Sequence, residues 1–215
     1  MVGVQSLNPE SIAAELRVVL LSGAMLPGTE LIQSELAERF SVSRIPVRDA
    51  LRLLSEDGLV TIEPNRSARV IELSPHELEE VFDLRILLEC DCLGRAAGNM
   101  TPSILKEINR ARRKADLDAP TNEWSTGDWR FHQALYAPAC RPRQVKLIAS
   151  LRLTCELFIA AYRRLPTRTP QWLGEHARIV AALEKDDTDA AVSALRIHLA
   201  AAKHFLLQAM TASIA

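Results

Sequence analysis

Apolar residues recur at helical spacing along most of the chain. Over residues 9 to 22, Ile12, Leu16, Val19 and Leu20 share one helical face. "SGAMLPGTEL" breaks that pattern, and Gln33 to Phe40 predicts a second, short helix with Leu36 inward. "SVS" is a tight connection into a third helix, whose buried stripe is Val47, Ala50, Leu51 and Leu54 and which Gly58 ends. Ser43 is placed to cap that helix, its hydroxyl accepting from a first-turn N–H. Pro46 is tolerated there because first-turn N–H groups have no intrahelical partner. "LVTIE" and "ARVIEL" then read as two short strands around "PNRS", with Asn65 as a turn residue. Three helices and a two-stranded hairpin predict a winged helix-turn-helix. A generic small helical subdomain has the same periodicity, so the pattern alone leaves both open.

From residue 76 the helical patterns lengthen and no convincing strand follows. In "ELSPHELEE", Ser74 is placed as an N-cap, with Pro75 at the first helical position and Glu77 in the capping-box place. The expected domains are 1–74 and 75–215. The second holds helices at about 77–98, 103–117, 124–137, 143–164, 171–185 and 188–211, the last capped by Asp187 or Thr188. The fold class is mainly α: a winged helix-turn-helix followed by an antiparallel six-helix bundle.

Several of these apolar stripes contain polar residues. Trp124, Asp128, Phe131, His132 and Leu135 lie on one helical face. His176 falls among Trp172, Leu173, Ile179, Val180 and Leu183, and His198 among Ala191, Leu195, Leu199, Ala202 and Leu206. Leu78, Val81, Arg85, Leu88 and Cys92 turn an arginine inward. Burying an unpaired acid or guanidinium is costly, so four helices that each bring such groups inward predict that the groups meet. Asp128 and His132, at i and i+4, are neighbours on their helix. With His176 and His198 they form a candidate Asp–His₃ site for a divalent ion, Zn²⁺ or Ni²⁺ ahead of Mn²⁺ or Fe²⁺. The competing reading is three core histidines, each with one hydrogen bond.

Composition narrows the function less than pattern does. The 215 residues are 48% apolar and 25% charged, with a net charge of −1, ordinary for a globular protein. Residues 1 to 75 hold seven arginines, no lysine and ten acids, so any nucleic-acid binding must rest on where the arginines sit rather than on a summed field. No apolar run approaches membrane-spanning length and the first residues lack a signal-peptide pattern, so a cytoplasmic protein is expected. Cys90, Cys92, Cys140 and Cys155 form no CxxC pair and are expected to be buried free thiols.

"LPGTEL…SELAERFSVSRIPVRDALRLLSEDGLVTI…ARV" resembles the N-terminal domain of the GntR family of bacterial transcription regulators. The resemblance covers roughly sixty residues: the PG turn, the LA pair, the SRxPVRxAL helix start and the GLV before the wing. It implies that the third helix enters the DNA major groove, where Arg44 and Arg48 reach guanine edges or phosphates. Ser43 and Ile45 would share that surface, Ser34 would lie near a phosphate, and Arg66 would act from the wing tip. Many relatives have glycine where Ser67 stands, which leaves the wing's backbone open.

The region from residue 76 resembles the all-helical effector domain of the FadR-type branch of that family. There a D-x-x-[FL]-H helix and two later histidines bind a divalent metal, and "DWRFH", "GEHARIVAALEKDD" and "ALRIHL" carry the matching Asp128, His132, His176 and His198. Six helices, with none extra in front, resemble the VanR-like subgroup. The resemblance implies a homodimer on a palindromic operator of double-stranded DNA. It also implies a small carboxylate metabolite beside the metal; a repressor is expected, with activation as the alternative. Arg85 is a candidate second anchor for that carboxylate, the alternative being an internal ion pair with Glu89, Asp91 or Asp128. Many relatives carry Asn or His where "CRPRQV" stands, so Arg141 or Arg143 either alters the pocket or faces solvent. His76 and His204 read as linker and surface residues. A metal hydrolase or lyase using the same four residues, or a sensor of the ion alone, are the competing functions.

Overall fold

The computed structural model describes residues 7–62, 68–121, 123–162 and 169–214. Two compact units emerge: Met1–Ser74 with Arg152–Arg163, and Pro75–Leu151 with Arg164–Ala215.

In the first unit, α1 (Pro9–Leu21) starts at Asn8, whose side chain accepts from the Ser11 N–H at 2.8 Å, with Pro9 at the first helical position. α2 (Gln33–Phe40) and α3 (Arg44–Glu56) are joined by a tight turn in which Ser41 adopts a left-handed conformation (φ 53°) and the Val42 N–H bonds back to Ala37 at 3.0 Å. Ser43 occupies the N-cap position of α3, but its hydroxyl makes no capping bond. This corrects the sequence expectation: the backbone of "SVS" sets the turn. α3 ends at Gly58, whose φ of 77° lets the Leu59 N–H return to Leu54 at 3.0 Å.

The hairpin has a third strand. β1 (Glu30–Leu31), β2 (Val60–Ile62) and β3 (Ala68–Val70) form an antiparallel sheet in the order β1-β3-β2, with Glu30 opposite Arg69 and Ile62 opposite Ala68. Pro27 and Gly28 make the turn that delivers β1; Gly28 sits at φ 79° and the Thr29 N–H reaches Leu26 at 3.1 Å. A two-residue strand has no periodicity, so pattern reading does not reveal β1. Ile12, Leu16 and Leu20 of α1 are buried, as are Leu36 and Phe40 of α2, Val47, Leu51 and Leu54 of α3, and Val60 and Val70 of the sheet. Asn65, Arg66 and Ser67 lie outside the described residues.

The second unit contains α4 (Pro75–Ala97), α5 (Pro102–Asp118), α6 (Trp124–Tyr136), the first half of α7 (Pro142–Tyr162), α8 (Thr169–Leu183) and α9 (Thr188–Ile214). These are the six helices that the periodicity predicts. Thr101 caps α5 through the Ile104 N–H (3.2 Å), and Asp187 caps α9 through the Ala190 N–H (2.9 Å). α4 packs on α6 and α9, α5 on α6 and α8, and α8 on α9. The core between them includes Leu93, Ile108, Phe131, Leu135, Ile179, Leu195 and Leu199. The second half of α7 belongs to the first unit, where Cys155, Leu157 and Phe158 are buried and the Thr154 hydroxyl meets the Gly58 carbonyl at 3.4 Å.

Two expectations are corrected here. α9 is long and apolar enough to cross a membrane over Thr188–Ala212, at a mean hydropathy of 1.2. Its alanines raise the average although Arg196, His198, Lys203 and His204 interrupt the apolar run, and one face of it packs against α4 and α8. Second, Cys140 is exposed, whereas Cys90, Cys92 and Cys155 are buried; none of the four is in a disulfide. Burial raises the Cys92 thiol to about 11 and pushes Cys90 up as well.

Gly127 sets the α5–α6 spacing. A Cβ there would meet the Asp118 side chain at 2.8 and 2.9 Å and the Ala115 Cα at 3.3 Å. Gly174 on α8 has open space around it. Gly127→Ala is therefore expected to destabilise by about 1–2 kcal/mol, overpacking outweighing the helix gain of about 1 kcal/mol. Gly174→Ala keeps only the gain, so thermal unfolding should move the two midpoints in opposite directions. In the folded protein at pH 8, a disulfide-exchange reagent should titrate one fast thiol, Cys140, and Cys140→Ser should remove it.

Candidate nucleic-acid interface and candidate metal centre

Burial of Val47, Ala50, Leu51 and Leu54 leaves the opposite face of α3 to solvent. Arg44, Arg48 and Arg52 follow one another at i, i+4 along it, with Ile45 beside them, 63% exposed. Arg44 is the first residue of α3 and is exposed, with no ion pair among the described residues. Arg48 Nε lies 3.5 Å from Asp49 Oδ1, and Arg52 lies 3.8 Å from the same oxygen. These loose, solvated pairs leave the guanidinium forks usable at little cost. Ser43 is exposed just ahead of Arg44, and Ser34 is exposed in the first turn of α2. Five of the six residues read from sequence as DNA-facing are thus on the surface, and Arg66 lies outside the described residues.

In the second unit, α6, α8 and α9 bring His132, His176 and His198 together. One ring nitrogen from each lies within 4.8 Å of the others, and all three side chains are buried. Ring centroids are 5.3 Å apart for His132–His176, 5.4 Å for His132–His198 and 4.7 Å for His176–His198. Asp128 joins them from α6, its Oδ1 3.3 Å from His176 Nε2 and 3.9 Å from His132 Nε2. The rings are shut away from water while the Asp128 side chain is partly exposed. His76 and His204 are exposed and play no part in this cluster.

Carboxylates support the cluster from behind. Glu175, buried on α8, accepts from His198 Nδ1 at 2.9 Å and from the Gln171 amide at 2.9 Å. Burial alone would raise the Glu175 carboxyl, but the hydrogen bonds from His198 and Gln171 outweigh it and hold the group below the usual carboxylate range. An ionised carboxylate only accepts, so His198 donates to it from Nδ1, and Nε2 is the ring nitrogen on the side away from that bond. On the other side, His132 Nδ1 lies 3.0 Å from the Tyr136 hydroxyl, which in turn donates to Glu89 Oε2 at 2.5 Å. Glu89 Oε1 accepts from Arg85 Nε at 2.8 Å.

Arg85 is thus held in an internal ion pair with Glu89, its side chain 6% exposed and its guanidinium 5.1 Å from the Phe82 ring centroid. Of the two sequence readings of Arg85, the internal ion pair is the one seen here, made through Nε to Glu89. Arg141 lines an outward cleft with Gln133, Tyr136, Cys140 and Lys146, and Arg143 is exposed. Glu175 and Tyr136 were not singled out by spacing. Tyr136 had a signal, since it continues the i, i+4 row of Asp128 and His132, and Glu89 stands in the same relation to Arg85. Glu175 had none: it acts across to another helix.

The donor set fits a divalent metal. Three imidazoles and a carboxylate suit zinc, nickel, manganese or iron, and a ring nitrogen anchored on the far side to a carboxylate is the usual support for a metal-ligating histidine.

Residues 8–70 match the model of the bacterial regulatory proteins of the gntR family, and residues 80–201 match the FCD domain. The HTH-type transcriptional repressor RspR of Escherichia coli (strain K12) is 30% identical over 203 residues, 90% of this chain and 88% of the relative. The gluconate operon transcriptional repressor of Bacillus licheniformis is 28% identical over 192 residues, 86% of this chain and 79% of the relative. Among solved structures, E. coli McbR/YncC has a TM-score of 0.78 at 23% identity, covering 97% of this chain and 99% of that one. A GntR transcriptional regulator from Rhodococcus sp. RHA1 has a TM-score of 0.77 at 25% identity, covering 93% and 97%. The exposed α3, the separate helical unit and these matches lead to one assignment: the chain belongs to the GntR family of bacterial transcription regulators, with an FCD domain as its second domain, and is a DNA-binding regulator rather than an enzyme.

Proposed function

We propose that this chain is a cytoplasmic homodimeric repressor, and that a small organic acid bound in an FCD domain built around a divalent metal controls its hold on a palindromic operator. The observation that carries the control half is the burial of His132, His176 and His198 with ligand nitrogens within 4.8 Å of one another. Asp128, His132, His176 and His198 would hold the ion, which would supply a positive centre for a carboxylate metabolite. Repression is supported by the names of the two curated relatives.

At the DNA, Arg44 and Arg48 would reach guanine edges or phosphates, with Ser43 and Ile45 on the same surface, Ser34 at a phosphate and Arg66 from the wing. A dimer presents two such helices to two half-sites. Leu84 and Leu87 on α4 are 43% and 65% exposed, and Leu147 on the first half of α7 is 58% exposed. Gln144, one turn from Leu147, bonds to the Leu88 carbonyl and to Asp91, so these leucines stand on adjoining helices and offer an apolar face to a second copy. Effector binding changes operator affinity only as far as the effector prefers one arrangement of the dimer.

Arg44→Ala or Arg48→Ala should each weaken operator binding roughly 5- to 150-fold, the loss of about 1–3 kcal/mol per contact, with an unchanged melting temperature. Electrophoretic mobility shift on the cognate operator reads this, and wild-type affinity in both variants would remove the recognition helix from the proposal. Chelation should lower the melting temperature and re-addition of Zn²⁺ or Ni²⁺ should restore it. His198→Ala should melt at one temperature with or without metal. A wild-type protein indifferent to chelator would end the metal reading.

A further inference from the structure

We propose that Tyr136 is a positioning residue for the metal centre: it carries the charge of a buried Arg85–Glu89 pair to His132 and fixes that ring in its Nδ1–H form. This rests on the metal reading above.

The chain of contacts points to one arrangement of protons. Glu89 is wholly buried, with one carboxylate oxygen on the Arg85 guanidinium at 2.8 Å and the other 2.5 Å from the Tyr136 hydroxyl. A carboxylate paired with a guanidinium accepts and does not donate, so the phenol proton points at Glu89. The phenol oxygen is then left as an acceptor toward His132 Nδ1 at 3.0 Å. That nitrogen must bear the ring proton, and Nε2, on the side of Asp128 and the other two histidines, keeps its lone pair. The Glu89 carboxylate lies 3.7 Å from His132 Nδ1, too far to bond directly, so the phenol is what closes the gap.

Tyr136 therefore does for His132 what Glu175 does for His198, but through an intervening hydroxyl. It also explains why an arginine and a glutamate sit inside the core of a helical domain. Arg85 holds the carboxylate, the carboxylate orients the phenol, and the phenol selects the tautomer before any ion arrives. Preselection of this kind strengthens binding because no ring proton has to move on metal entry.

Two readouts on the full-length protein test this. Long-range ¹H–¹⁵N spectra of the metal-free wild type, with histidine nitrogens labelled, should show His132 as the Nδ1–H tautomer, and Tyr136→Phe should introduce the Nε2–H form. Competition with a chromophoric chelator should show Zn²⁺ bound roughly 10- to 100-fold more weakly by Tyr136→Phe than by wild type. A packing role alone would leave the tautomer unmoved, since phenylalanine keeps the ring. A wild-type His132 found mainly as Nε2–H, or a Tyr136→Phe protein with Zn²⁺ affinity within twofold of wild type, would overturn the proposal. If wild type binds no Zn²⁺, the metal reading fails separately, and the metal-free spectrum still decides the relay. Should Tyr136→Phe not fold, the wild-type spectrum decides it alone.

Discussion

An imidazole ring moved from water into a core of leucines loses two hydrogen-bonding partners, and the helical domain buries three such rings side by side. That desolvation cost shapes what surrounds them. Glu175 takes the outer nitrogen of His198, and Tyr136, backed by Glu89 and Arg85, takes that of His132. Each support is itself satisfied, by Gln171 for Glu175 and by Arg85 for Glu89. Truncating any member leaves a buried charge or dipole without its partner, which costs about 3–5 kcal/mol for a broken ion pair. One ring nitrogen from each histidine lies within 4.8 Å of the others, and imidazole nitrogens beside a carboxylate are a donor set that suits a divalent cation. The core is stable with these groups inside because they are organised in layers, an outer one of hydrogen bonds and an inner one of donors.

The helices carrying the donors are held in register by ordinary packing. Gly127 lets α6 approach α5 closely, one residue before Asp128, so the α6 pair Asp128 and His132 is placed by a backbone contact. Asp187 and Thr101 fix the starts of α9 and α5. The DNA-facing unit solves a different problem. It has more acids than arginines, so its field does not draw it to phosphate. What α3 offers instead is a row of exposed guanidinium groups at its front, clear of the buried stripe.

Much of this was legible in the amino-acid pattern. The stripe Val47, Ala50, Leu51 and Leu54 predicted both the core of the first unit and, by exclusion, the arginine face. The stripes through His132, His176 and His198 predicted inward histidines, and the structure brings all three together. What stayed hidden depends on neighbours in space. β1 is two residues long and exists because Leu26–Thr29 turns it against β3. Glu175 faces a partner on α9 that no spacing within α8 reveals. The second half of α7 clusters with the first unit although the periodicity runs through it unbroken. Ser43 stands at a cap position without capping, because the backbone of Ser41 and Val42 already makes the turn.

The metal centre is tested most directly by X-ray diffraction from the purified protein at an absorption edge of the metal it carries. The expected result is one anomalous difference peak per chain, within bonding distance of His132 Nε2, His198 Nε2, a ring nitrogen of His176 and the Asp128 carboxylate. A map with no peak among these four residues, from crystals grown without chelator and with zinc or nickel supplied, would contradict it.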